Sequence, residues 1–213
     1  MVLTPDASKV IVGGSFTTLN GSALGYGLGA IDATTGALVS SWAAPGTVKD
    51  AGTKAAVLRL STDGSAIYGT GYVFGAGGNL EGAFSANPGT GAINWVEDCH
   101  GDTYSNFAVN GSVYVVGHAH YCGNVGGFPQ TSPTWTFHHA LEFSAAATGT
   151  LLHNSQSPGS YTDFGGRPSP TLDNWFPDLT PGTFTGQSQA AWSTSGNASY
   201  LVLGGEFPSV NGI

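Results

Sequence analysis

Four side chains that can hold a metal ion or move a proton crowd one stretch of this sequence. They are His100, Asp102, His118 and His120, within WVEDCHGDTYSNFAVNGSVYVVGHAHYC at 95–122. Two histidines at i and i+2 on a strand present their imidazoles side by side, which supplies half of a metal site. A catalytic zinc takes a third protein ligand and keeps one position open for water, whose pKa falls to about 7. His118 and His120 are therefore the expected ligands of a divalent metal, zinc or manganese, with His100 as the third. Asp102, His138 and His139 compete for that third place. His100 and Asp102 are also the expected catalytic pair, able to pass a proton to or from a reacting group.

A hairpin must position these groups. Asn110-Gly111 lies between FAV and SVYVV, and Asn-Gly between apolar alternations marks a two-residue turn whose central residues take positive φ. Residues facing each other across such a turn sum to 221, and so do Cys99 and Cys122, the chain's two cysteines. Directly opposed residues have Cα atoms roughly 4.5–5.5 Å apart, within disulfide reach. The rival reading, a zinc ion on Cys99, Cys122, His118 and His120, lacks the two short ligand-bearing loops usual for structural zinc. A disulfide is the expectation. The same register puts His118, His120 and Cys122 on one face, opposite Thr103 and Gly101. His100 and Asp102 alternate onto the other face unless a bulge turns them, for which Gly101 and Gly117 leave room.

Composition narrows the class. The 213 residues include 34 glycines and only 8% charged residues, with a net charge of −8. That balance suits many short strands joined by tight turns and offers no basic patch for nucleic acid. No run of 18 apolar residues exists to span a membrane. MVLTPDASKV has neither the cationic start nor the apolar core of a signal peptide, yet pairable cysteines belong in an oxidising compartment. The reading is an excerpt from a longer secreted protein, with Met1 a start codon set into its interior.

Internal similarity is clear. KVIVGGSFTTLNG (9–21) returns as YLVLGGEFPSVNG (200–212), with AIYGTGYVFGAGGN and SVYVVGHAHYCGN as weaker copies between. A Thr-Gly element follows at Gly36, Gly91 and Gly149, spaced by 55 and 58 residues. Such a period suits one four-stranded propeller blade. The expectation is a single all-β domain, a β-propeller fragment, with units at about 2–45, 55–98, 103–154 and 188–213. Gly14 with Phe16, and Gly205 with Phe207, align with His118 and His120. Long loops fall at 123–139 and 154–187. Three and a half blades leave strand edges open, so a homo-oligomer completing the ring is expected.

GGSFTTLNG, DCHGDTYS, GHAHYCGNVGGFPQ, WFPDLTPGTFTGQSQAAW and LGGEFPSVNG together resemble the propeller repeats of large secreted actinobacterial proteins that also carry PKD domains. The resemblance covers essentially the whole chain and implies a propeller in an extracellular setting; it implies no activity. GHAH and HGD also invite comparison with calcineurin-like metallophosphoesterases. The Asp-x-His and GNHE segments of those enzymes are absent, and their fold alternates strands with helices.

Two functions remain. One is a metal-dependent hydrolase of esters or phosphoesters, built on His118, His120, His100 and Asp102. The other is a non-catalytic extracellular module that binds a glycan, another small molecule or a protein. Its expected binding residues are Tyr121, Trp135, Trp175 and Phe176, whose rings can stack on sugars. The same aromatics could instead cover blade cores. A serine hydrolase is the weakest reading, since Ser15, Ser105 and Ser132 are available but no GxSxG elbow exists.

Overall fold

A computed structural model describes residues 1–156, 160–186 and 189–213; parts of the expected loop at 154–187 and the first residue of the unit at 188–213 lie outside these. Apolar alternation between glycine-rich turns yields short strands, and the described residues contain no α-helix. Strands β1 (Val2–Leu3), β2 (Lys9–Gly13) and β3 (Leu28–Asp32) form a first antiparallel sheet, with Leu38 bridged to Ile31 at its outer edge. Strands β4 (Ala55–Thr62), β5 (Ile67–Val73), β6 (Gly82–Ala86) and β7 (Ile93–Glu97) form the second, in chain order. Strands β8 (Thr103–Val109), β9 (Ser112–Ala119) and β10 (His138–Ser144) form the third. Two small pairs complete the chain: β11 (Gly149–Thr150) with β12 (Pro168–Ser169), and β13 (Ala191–Gly196) with β14 (Leu201–Gly205).

The apolar residues sort into three cores, each between neighbouring sheets. Ile11, Leu28, Val57 and Phe84 join the first sheet to the second, and Tyr68, Trp95, Val113 and Phe143 join the second to the third. Val116, Ala140 and Ala191 join the third to the last pair. Covering both faces of the second sheet buries all of β6 and most of β5. Each fully buried Leu or Phe contributes roughly 2 kcal/mol. Trp95 adds a hydrogen bond, its indole N–H donating to the Ala145 carbonyl at 2.8 Å.

The expected hairpin is present. Asn110 and Gly111 take φ of 54° and 83°, and the pairs from Val109↔Ser112 to Ser105↔Val116 all keep the sum of 221. Tyr104 then bulges out, so Thr103 faces Gly117 rather than His118. Glycine is required there, because a Cβ on Gly117 would lie 2.1 Å from the Asp102 carbonyl oxygen. The register recovers where His100 bridges Tyr121, and Cys99 and Cys122 form a disulfide with Cα atoms 4.3 Å apart. Leu58 and Trp192 bulge at the same place in β4 and β13, and the Tyr104 and Trp192 rings stack at 4.7 Å.

Three expectations are corrected. Gly205 pairs with Ala191 as Gly117 pairs with Thr103, so Glu206, not Gly205, takes the place of His118 in the last unit. Residues 149–153 do not close the third sheet. Leu151 is drawn into the first core beside Phe164, and Leu172 takes the open edge by bridging Phe143. Cys122 leaves the face of His118 and His120, because β9 ends at Ala119 and the chain enters a 3-10 turn at Gly123–Val125.

Candidate functional site: an aromatic cleft at the strand ends

A cleft of about 730 Å³ opens where the second and third sheets end side by side. Its walls come from equivalent positions of those sheets. The Phe74 N–H donates to the Lys54 carbonyl at 2.7 Å, and the His120 N–H donates to the His100 carbonyl at 2.8 Å. Alternation then turns Tyr72 and Phe74 from one sheet, and His118 and His120 from the other, toward the same space. Trp135 and Phe137 arrive from the loop before β10, and Tyr161 from the loop before β12. Glu81, Asp102, Lys54 and Gln189 supply the polar lining.

His118 is held on both ring nitrogens. The Asp102 N–H donates to Nε2 at 3.3 Å, which leaves the proton on Nδ1 facing Gln189 Oε1 and Tyr104 Oη, each 2.9 Å away. His120 is 3% exposed; it stacks on Trp135 at 4.1 Å, and its Nδ1 has no hydrogen-bond partner among the described residues. Burial first, then the neighbouring imidazoles, lowers the His120 pKa to about 4. Burial also lowers His118. Both rings are neutral at physiological pH.

Burial raises the two carboxyl groups of the cleft. Glu81 rises to about 7, opposed by the Gly101 N–H that donates to its Oε2 at 3.0 Å and reinforced by Asp102 and other nearby carboxylates. Asp102 rises to about 6. Near neutrality the cleft thus carries less negative charge than two ordinary carboxylates would give it.

His100 lies behind this wall, fully buried. Its ring stacks on Tyr161 at 3.6 Å, sits 4.9 Å from that of Tyr121, and places Nε2 3.7 Å from Asp98 Oδ2. Burial lowers its pKa to about 4. His139 gives its Nδ1 proton to the Gly117 carbonyl at 3.0 Å, and His138 packs on Phe128. The structure therefore brings Asp102, His118, His120 and Trp135 into one cleft and leaves His100 and Tyr121 buried beneath it. Trp175 packs edge-on against Tyr114, and Phe176 against Phe128 and His138, outside the cleft.

The donors as arranged do not fit a metal ion. Both His118 nitrogens are committed, and no group of three His, Cys, Asp or Glu side chains among the described residues is placed to share an ion. Sequence reasoning missed Tyr72, Phe74, Glu81 and Tyr161. The first two were within reach, because they hold the repeat positions of His118 and His120. Glu81 had one signal, a lone acid in the apolar run NLEGAFSA. Nothing local marked Tyr161. Compared with protein-family models, with curated proteins and with solved structures, the chain matches none.

Proposed function

We propose that the cleft binds an uncharged saccharide, the second of the two functions left open by the sequence. The Trp135 platform carries this reading. Its indole is backed on one side by His120 and remains 44% exposed, beside Phe137 at 44% and Phe74 at 78%. Such rings stack on the apolar faces of sugars, while Gln189, Glu81 and Asp102 can hydrogen-bond hydroxyls. With Lys54 the sole cation among the described residues of the lining, nothing there favours a phosphorylated ligand.

A set of neutral hexasaccharides (α- and β-linked glucans, a mannan and a chitin oligomer) titrated into the protein tests the reading. Binding to at least one member should quench tryptophan fluorescence and weaken at least about fivefold in Trp135→Ala, since stacking on an indole contributes about 1 kcal/mol. Failure of every member to bind overturns it.

The wider reading takes the successive sheets as propeller blades. Support comes from the three inter-sheet cores, the bulge repeated in β4, β8 and β13, and the packing of β4 on β8 and β8 on β13. The disulfide supports an oxidising, extracellular setting, in keeping with the resemblance to secreted actinobacterial repeats. Exposed Tyr200 and Val202 on β14 and its flank support completion of the array by a second copy. A monomeric sedimentation mass for the folded chain would remove that last point.

A further inference from the structure

We propose that Glu81 and Asp102 form the acid–base pair of a glycoside hydrolase, cutting a saccharide chain laid across two adjoining pockets. The proposal rests on the reading of the cleft as a saccharide site. A second pocket of about 180 Å³ lies next to the cleft, lined by Val73, Gly78, Asn79, Ser160 and Thr162. Glu81 and Tyr161 line both. A chain with sugars in each pocket would cross the junction that Glu81 and Tyr161 border.

The backbone ties the two acids together. Glu81 accepts the Gly101 N–H, and the next residue is Asp102, whose own N–H is fixed on His118. An independent feature points to a ligand: His120 lines the larger pocket, is almost wholly buried, and keeps Nδ1 without a partner among the described residues. That nitrogen bears the cost of an unmade hydrogen bond at the wall of the cleft, beneath the Trp135 ring.

The step balances with water as co-reactant. Glu81 in its acid form gives its proton to the glycosidic oxygen as the anomeric C–O bond breaks. A water oxygen bonds to the anomeric carbon and passes a proton to the Asp102 carboxylate. Solvent carries that proton from Asp102 back to Glu81, so one water is consumed per bond. Burial raises the pKa of Glu81 to about 7, so that it can hold the proton it gives.

The same hexasaccharides, incubated with the protein in ¹⁸O-water and followed by mass spectrometry, test the proposal. The bound member should yield shorter products labelled at the new reducing end. Glu81→Gln and Asp102→Asn, whose amides keep a hydrogen-bonding group at each place, should weaken Trp135-dependent binding by no more than about tenfold and lose at least about 100-fold in rate. Unfolding midpoints check that the variants fold; should Glu81→Gln fail to fold, Asp102→Asn carries the same expectation. A hexasaccharide that binds through Trp135 yet stays intact overturns the hydrolase and leaves the binding site standing. Unchanged rates in the folded variants overturn it equally. If none of the set binds, both readings fall together.

Discussion

Tyr72 and Phe74 leave β5 at the positions that His118 and His120 hold on β9, and the backbone around each pair is the same. Gly71 and Gly117 face the residues before the bulged Leu58 and Tyr104, and Phe74 and His120 donate to equivalent carbonyls. Both ends also bury a carboxyl group against an asparagine-bearing loop. Asp50 accepts the N–H groups of Asn79 and Leu80, while Asn124 donates its side-chain N–H to Asp98. The side chains then diverge. The second sheet presents a phenol and a phenyl ring; the third presents two imidazoles and ties its strands with a disulfide. A repeated frame fixes where side chains stand, and substitution on that frame decides the chemistry. The cleft exists because two unlike copies of one strand end face the same space.

The disulfide gives the largest contrast between the two ends. Replacing Cys99 and Cys122 with serine should lower stability by about 3 kcal/mol, as expected for a closed loop of 23 residues' separation. Urea unfolding measures this. A loss below about 1 kcal/mol would show that the hairpin at this end holds itself as the second sheet does, by packing alone.

The buried carboxyl groups give the next effect, and here the ends should agree. Burial raises Asp50 to about 7, and Glu97 and Asp98 to about 8. A group whose folded pKa lies above its unfolded value stabilises fully below the unfolded value, near 4, and loses that contribution as pH rises through the folded one. Buried neutral His100 and His120 act oppositely, losing stability as pH falls below 6.5 toward about 4. Above pH 6.5 the carboxyl groups outweigh the histidines, whose opposing effect is gone by about pH 7.5. Stability should fall between pH 6.5 and 8, by up to about 1.4 kcal/mol per pH unit for each group. Asp50→Asn and Asp98→Asn should each flatten the fall in unfolding midpoint. A flat profile in the unmodified protein would contradict the assigned burial of charge.

The smallest effect sharpens the comparison most. The double substitution His118→Tyr and His120→Phe gives the third sheet the side chains of the second. Lost hydrogen bonds to Gln189 and Asp102 should cost about 1 kcal/mol, partly offset by the added apolar surface. A thermal midpoint within a few degrees of the parent shows that the frame accepts either chemistry. Collapse of the fold would show that the imidazoles are structural members of their own hairpin.

The turn and the cysteines were legible because both are local. Asn-Gly sets the hairpin, period two sets the faces, and residue arithmetic then brings Cys99 opposite Cys122. The all-β class and the internal repeat followed from glycine-rich punctuation and apolar alternation. The bulge at Tyr104 was foreseen only as room left by two glycines, because a one-residue slip is decided by packing against the neighbouring sheet. There Tyr104 meets Trp192, which is 88 residues away in the chain. The site was less legible still. His118, His120, Asp102 and Trp135 announce themselves by type and spacing, but Glu81 and Tyr161 reach the cleft only after three sheets have stacked and the loop before β12 has folded back. The sequence thus determined strands, turn, disulfide and some candidate groups, which depend on neighbours along the chain. Tertiary structure decided which groups share a cleft and which acids keep their protons, since desolvation and contact between distant strands arise only when separate cores close.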